Sequence, residues 1–123
     1  MRHAVLILMS VLCLAPVEAG AARPKVAPLE LARVLLLDGH PRRALSVLGE
    51  VDEAEEGLDK AELHRLRGLA ESELGLHLQA VEDFRRALAL GATGATLHYA
   101  LANALLSTGD APGALKALRD GGA

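Results

Sequence analysis

Residues 61–94 read AELHRLRGLAESELGLHLQAVEDFRRALALGATG, and this stretch decides the fold class. Gly75 divides it into two halves that are rich in Leu and Ala, residues that favour helix. A glycine at such a point is typical of the left-handed residue that ends a helix. Because the link around it is only a few residues long, the two helices must lie antiparallel. The stretch therefore predicts one helical hairpin.

The same pattern recurs on both sides of this stretch. Turn glycines follow one another at intervals of 36 and 34 residues, at Gly39, Gly75 and Gly109. A small residue lies seven positions before each glycine, an alanine five positions after it and a large apolar residue nine positions after it. In chain order these residues are Ala32, Gly68 and Ala102, then Ala44, Ala80 and Ala114, then Leu48, Phe84 and Leu118. The sequence therefore predicts three tandem hairpins.

A period of about 34 residues built as helix, turn, helix is the length of a tetratricopeptide unit. Residues 61–94 resemble one complete tetratricopeptide repeat, and residues 29–60 and 95–123 resemble two further units, the last of them short. The residues of the middle unit that match the family are Gly68, Gly75, Ala80, Phe84 and Ala87-Leu88. The resemblance implies an all-α protein, an α-solenoid of three antiparallel helix pairs.

The first helix of the middle unit departs from the family pattern. Polar side chains stand where the family usually has large residues, at His64, Arg67 and Glu71. An alternative apolar side is available on the same helix, formed by Leu63, Leu66, Ala70 and Leu74. We expect this helix to be rotated relative to the family pattern, so that the second set faces the core.

Composition supports the helical prediction and limits the partners. Apolar residues make up 51% of the 123 residues, yet the chain has one Phe, one Tyr and no Trp. A β-sandwich or barrel would normally carry more aromatic and β-branched residues. The formal net charge is −3. Nucleic-acid binding requires clustered Lys and Arg, so we expect a polypeptide partner and no nucleic acid.

The N-terminal residues follow the order of a secretory signal. A short basic start precedes an apolar run from Ala4 to Ala15, and Pro16 then leads to small residues before Ala19 and Ala21. We predict a signal peptide over 1–21, a linker over 22–28 and a periplasmic or secreted protein of a bacterial-type cell envelope. The alternatives are a retained membrane anchor or a buried helix. The run is too short for a stable membrane span.

Cys13 is the only cysteine and lies inside this apolar run. A lipoprotein would place its modified cysteine after a small residue at the end of the run, whereas Leu12 precedes Cys13. If cleavage follows Ala19 or Ala21, the mature chain has no cysteine. Its stability would then come from helix packing, without disulfides.

The sequence offers no motif for catalysis, for a nucleotide or for another cofactor. GxSxG, GxGxxG, GxxxxGK[ST] and HExxH are all missing. The five histidines show no i, i+4 pair, so a helical metal site has no visible motif. We therefore predict a protein that is not an enzyme and that holds no metal. A metal-binding protein or an enzyme that uses the histidines remains the alternative.

The resemblance implies a binding groove on the first helix of each unit, where the family holds peptides or helices. Apolar, Arg, Asn and Tyr side chains suit such a ligand. The positions that match are Leu29, Arg33 and Leu36, then Arg65, Leu69 and Ser72, then Tyr99, Asn103 and Leu106. We predict that the chain is a protein-interaction module or scaffold. A self-assembling structural component is a further alternative, because three repeats lie near the minimum for stability and no capping helix follows the last.

Overall fold

The computed structural model describes residues 27–122, and these residues form six α-helices and no strand. The helices are α1 (Pro28–Leu37), α2 (Pro41–Gly49), α3 (Lys60–Glu73), α4 (His77–Ala89), α5 (Ala95–Ser107) and α6 (Ala111–Gly122). The prediction of an all-α protein is confirmed. The predicted signal peptide and most of the predicted linker lie outside the described residues.

Local sequence signals explain where these helices begin and end. Pro28 and Pro41 open α1 and α2, where the missing N–H costs no helical hydrogen bond. The carboxylate of Asp59 accepts a hydrogen bond from the N–H of Glu62 at 3.0 Å and so caps α3. The turn glycines Gly39, Gly75 and Gly109 have φ of 77°, 78° and 88°. Only glycine adopts this left-handed conformation without strain, so each hairpin turns where the sequence predicts it.

The helices pack as three adjacent pairs, α1 with α2, α3 with α4 and α5 with α6. Each pair also contacts the next one through α2 and α3 and through α4 and α5. In addition, α1 contacts α3, and α3 contacts α5, whereas among the described helices α2 does not contact α4 and α4 does not contact α6. We call α1, α3 and α5 the inner layer and α2, α4 and α6 the outer layer.

A close approach of α3 and α4 centres on Gly68 and Phe84. Phe84 is fully buried, and a Cβ atom at Gly68 would lie 2.6 Å from its Cδ1 and Cε1 atoms. The phenyl ring therefore occupies the space that any larger residue at this position would need.

The buried side chains of the described residues form two clusters. One spans α1 to α3, with Ala32, Leu35, Ala44, Leu48, Leu63 and Leu66; the other spans α4 to α6 and includes Phe84, Leu97, Leu101 and Leu105.

The first helix of the middle pair buries apolar and polar residues together. Of the predicted apolar residues, Leu63, Leu66 and Ala70 are fully or almost fully buried, whereas Leu74 is half-buried. The expected rotation is wrong, because His64 and Glu71, which stand where the family usually has large residues, are also buried, with 4% and 7% of their surface exposed. The helix α3 is enclosed on most of its circumference because it contacts α1, α2, α4 and α5. No helix within residues 27–122 has both the length and the apolar character needed to cross a membrane.

Candidate functional site

The predicted groove residues all lie on the inner layer, three on each helix. Their exposure increases along the stack. The residues of α1 and α3 are half-buried: Leu29, Arg33, Leu36, Arg65, Leu69 and Ser72. The residues of α5 are exposed: Tyr99, Asn103 and Leu106. Tyr99 and Leu106 leave 61% and 54% of their surface open, so the C-terminal part of the inner layer presents apolar area to solvent.

A cleft opens between α3 and α5 in the inner layer. It is lined by Arg65 and Leu69 of α3, Thr96, Leu97 and Ala100 of α5, Thr93 of the preceding loop and Phe84 of α4. Its volume is about 210 Å³, which is below the roughly 300–1,000 Å³ of typical small-molecule sites. A space of this size suits one or two inserted side chains better than a complete cofactor. Two of the predicted groove residues, Arg65 and Leu69, line the cleft, whereas Tyr99 does not.

An ion-pair network connects α1 to α3 beside this cleft. Glu62 accepts hydrogen bonds from Arg33 Nη2 at 2.8 Å and from Arg65 Nε and Nη2 at 2.7 Å each. Glu30 on α1 accepts a further bond from Arg33 at 2.7 Å. The hydrogen bonds from Arg65 and then Arg33 hold the pKa of Glu62 below its usual range. The network therefore carries its full set of charges at neutral pH and fixes both arginines on the inner layer.

Arg65 is the arginine whose position suits ligand binding. Its side chain is 35% exposed, and two of its three nitrogens bond Glu62, whereas Nη1 has no partner among residues 27–122. Arg65 and Leu69 both line the cleft. A fixed guanidinium with a free N–H edge binds carboxylates and backbone carbonyls strongly, because its donors are rigid and charged. The cleft thus combines an apolar cavity with one charged donor.

A second polar cluster lies between α3 and α4, away from the cleft. His64 Nδ1 and Asp83 Oδ1 are 2.6 Å apart, and their side chains are only 6% and 13% exposed. Glu71 lies in the same cluster, and its Oε2 atom has no hydrogen-bond partner among the described residues. Burial, followed by hydrogen bonding to Asp83 and its negative charge, raises the pKa of Glu71 to about 8. Glu71 is therefore mainly protonated at neutral pH, and this cluster joins the two helices.

Sequence reasoning missed parts of both sites. It assigned no role to Glu62, although Glu62 lies three residues before Arg65, the spacing of neighbours on one helix face. Thr93 was not predicted because it lies in the loop between α4 and α5, and the repeat pattern does not determine the path of that loop. The pairing of His64 with Asp83 joins residues 19 apart in sequence, and only the rotation of α3 against α4 determines it.

The histidines occupy separate environments. His40 is exposed, His64 bonds Asp83, and His77 and His98 are half-buried on different helices, each with an Nδ1 atom that has no partner among the described residues. Within residues 27–122 no three His, Cys, Asp or Glu side chains are placed so that they could hold one metal ion. The two buried Nδ1 atoms lie on α4 and α5, at the start of one helix and in the first turn of the other.

Comparisons with known proteins do not assign the chain to a family. No protein-family model matches the sequence, and no curated protein matches it significantly. The assignment of function therefore depends on the sequence pattern and on the geometry of the inner layer.

Proposed function

We propose that the chain is an α-solenoid of three tetratricopeptide-like units that binds a segment of another polypeptide on its inner layer. The 34-residue period and the turn glycines support the repeat class. The contacts of α1, α3 and α5, with the outer helices spread apart, support a concave binding side. The N-terminal sequence supports export, so that the partner would be a protein of the cell envelope or its surroundings.

The observation that carries this proposal is the cleft between α3 and α5. Neighbouring inner helices leave a gap there, and its lining combines the apolar residues Leu69, Phe84 and Leu97 with Arg65 and two threonines. Peptide grooves combine pockets for individual apolar side chains with polar groups that fix the main chain.

We infer the chemistry of the ligand from the residues that line the cleft. One apolar side chain, of the size of Leu or Met, fills the cavity. A carboxylate or main-chain carbonyl next to it accepts a hydrogen bond from Arg65 Nη1. The ligand continues along α5 beyond the cleft, where Tyr99 supplies an exposed aromatic ring of a type that commonly anchors protein interfaces. We therefore infer an apolar segment that carries at least one acidic residue.

A blocked cleft tests the proposal. Peptides selected from a displayed random library on the purified chain are labelled, and their Kd is measured by fluorescence anisotropy. Thr96 is exposed and lines the cleft, so Thr96→Trp places an indole in its mouth. We expect Thr96→Trp to weaken binding by about tenfold or more, which corresponds to about 1.4 kcal/mol.

The neighbouring residue provides a matched control. Ala95 is exposed on the same helix and does not line the cleft, so Ala95→Trp should change the Kd by less than about twofold. Equal affinities of the wild type and Thr96→Trp would reject the cleft as the binding site. Metal analysis of the same preparation addresses the histidine alternative, because stoichiometric bound zinc would favour it over peptide binding.

A further inference from the structure

Large apolar side chains are exposed at one end of the stack, on α6. Leu115 and Leu118 leave 54% and 42% of their surface open. They lie six and nine residues after the turn glycine Gly109. We call the surface around these two residues the α6 face. Because the same offsets exist in the two preceding helix pairs, the environment of each leucine can be compared with that of its equivalents.

The preceding pairs bury these positions. The equivalents of Leu118 are Leu48 and Phe84, which are both fully buried. The equivalents of Leu115 are Leu45, which is half-buried, and Val81, which is 6% exposed. Leu48 and Val81 each belong to a core cluster that includes residues of the next pair. In α6 the same positions have no following helix pair within the described residues, which explains their exposure.

At the opposite end of the stack, α1 also exposes apolar side chains at positions that the other pairs bury. Val34 is 51% exposed, whereas its equivalents Ala70 and Ala104, five residues before their turn glycines, are 0% and 2% exposed. Leu31 is 37% exposed, whereas its equivalents, eight residues before their turn glycines, are Arg67, which is half-buried, and Leu101, which is 5% exposed. We call the surface around Leu31 and Val34 the α1 face. It corresponds to the side on which α3 and α5 receive the preceding helix pair.

We propose that the α6 face of one copy packs against the α1 face of a second copy. This contact would repeat the packing that already joins α2 to α3 and α4 to α5 within the chain. Within the chain, the equivalents of the α1 face on α3 and α5 pack against the preceding helix pair. A second copy supplies such a pair through its α6 face, so we take a second copy as the occupant. The proposal does not depend on a bound peptide.

The geometry of the contact determines the kind of assembly. The two surfaces are different, so the contact is heterologous, and a chain of copies keeps one free α1 face at one end and one free α6 face at the other. Head-to-tail contacts that do not close into a ring extend without limit. Association should therefore grow with concentration and produce a series of sizes, whereas a symmetric dimer would stop at two copies.

Two end-blocked variants test this directly, with the full chain as it is recovered from its expression host. Leu115→Glu places a charge on the α6 face, and Val34→Glu places one on the α1 face; burying either charge unpaired is costly. We expect the wild type to sediment faster as its concentration rises, and each variant alone to remain monomeric. An equimolar mixture of the two variants should form dimers and nothing larger, because each supplies the one face that the other lacks.

Leu78→Glu is the matched control. Leu78 is 72% exposed on α4, and its equivalents Arg42 and Pro112 are exposed as well, so this is not a position that the packing between pairs buries. The control should associate like the wild type. Leu115→Ser and Val34→Ser repeat the experiment without a new charge, and the helical circular dichroism of every variant shows whether it is folded.

Several results would overturn the proposal. A wild type that stays monomeric at every concentration would exclude the contact. Continued self-association of folded Leu115→Glu or Val34→Glu would show that a different surface is used. A mixture of the two variants that forms no dimer would exclude the head-to-tail arrangement.

Discussion

At the scale of single residues, Gly68 sets the distance between α3 and α4. A Cβ atom there would lie 2.6 Å from two ring carbons of Phe84, and that ring is fully buried. Protein interiors are packed densely enough that such an overlap cannot be absorbed without moving a helix or forcing the ring from its rotamer. The period of small residues in the sequence identifies this position, and the structure supplies the reason for it.

We expect Gly68→Ala to lower the free energy of unfolding by about 1 to 3 kcal/mol, the usual cost of overfilling a core. Urea denaturation followed by circular dichroism measures it. Gly49→Ala is the control, because a Cβ atom at this helical residue meets nothing within 4 Å; it should be neutral or slightly stabilising. If Gly68→Ala unfolded like the wild type, the close approach of α3 and α4 would be wrong.

Glu71 is the second residue whose environment has a measurable consequence. Burial and then Asp83 raise its pKa from an ordinary value of 4.5 to about 8, with Arg67 opposing the shift and Glu82 adding to it. The folded state therefore holds a proton that the unfolded chain loses above about pH 4.5. It follows that stability falls as the pH rises from about 4.5 to about 8, and the loss is complete above that range.

The substitution Glu71→Gln replaces the protonated acid with a neutral group of similar shape. We expect it to stabilise the protein by about 1 to 3 kcal/mol at pH 9 and to have little effect at pH 5. Glu73→Gln, on the same helix but exposed, should show no such difference between the two pH values. Thermal melts across pH 5 to 9 provide the measurement, and parallel curves for the wild type and Glu71→Gln would contradict the assignment.

At the scale of helices, the beginnings of α3 and α6 are fixed by aspartates. Asp59 accepts a hydrogen bond from the N–H of Glu62, and Asp110 accepts one from the N–H of Gly113 at 2.9 Å. The helices α1, α2, α4 and α5 have no such side-chain cap. They depend on proline at the first position or on packing against their partners. The helix that carries Arg65 and Leu69 is thus among those with a cap of their own.

Removing the cap of α3 should destabilise the protein. We expect Asp59→Ala to cost about 1 kcal/mol of unfolding free energy, because an amide N–H in the first turn loses its acceptor. Asp59→Asn keeps an acceptor oxygen and should cost less. Chemical denaturation of the three proteins side by side checks the order, and equal stabilities would show that the cap contributes nothing.

Most of the helices could be predicted from the sequence, because their signals are local. Turn glycines and N-terminal prolines act within a few residues, and the bounds of α1 and α2 follow from them. The buried His64 and Glu71 could not be predicted in the same way. They are enclosed because α3 lies between two other helix pairs and because Asp83 of α4 lies next to them. Neither contact can be predicted from the residues of α3 alone.

At the scale of the whole molecule, the arrangement in two layers connects the fold to the proposed function. Short turns make neighbouring helices antiparallel, and this much follows from the sequence. The cleft between α3 and α5 depends in addition on how far the inner helices stand apart and on where the loop with Thr93 runs. The nine predicted groove residues therefore share the inner layer, while only Arg65 and Leu69 line the cleft itself.

The most direct test of peptide binding on the inner layer is a titration of the isotope-labelled chain with a selected peptide, followed by NMR amide shifts. We predict that saturable shift changes concentrate on α1, α3 and α5 and are largest near Leu69, Thr96 and Ala100, which line the cleft. Changes concentrated on the outer layer, for example around Leu78, would contradict the account. So would the failure of any selected peptide to produce saturable changes.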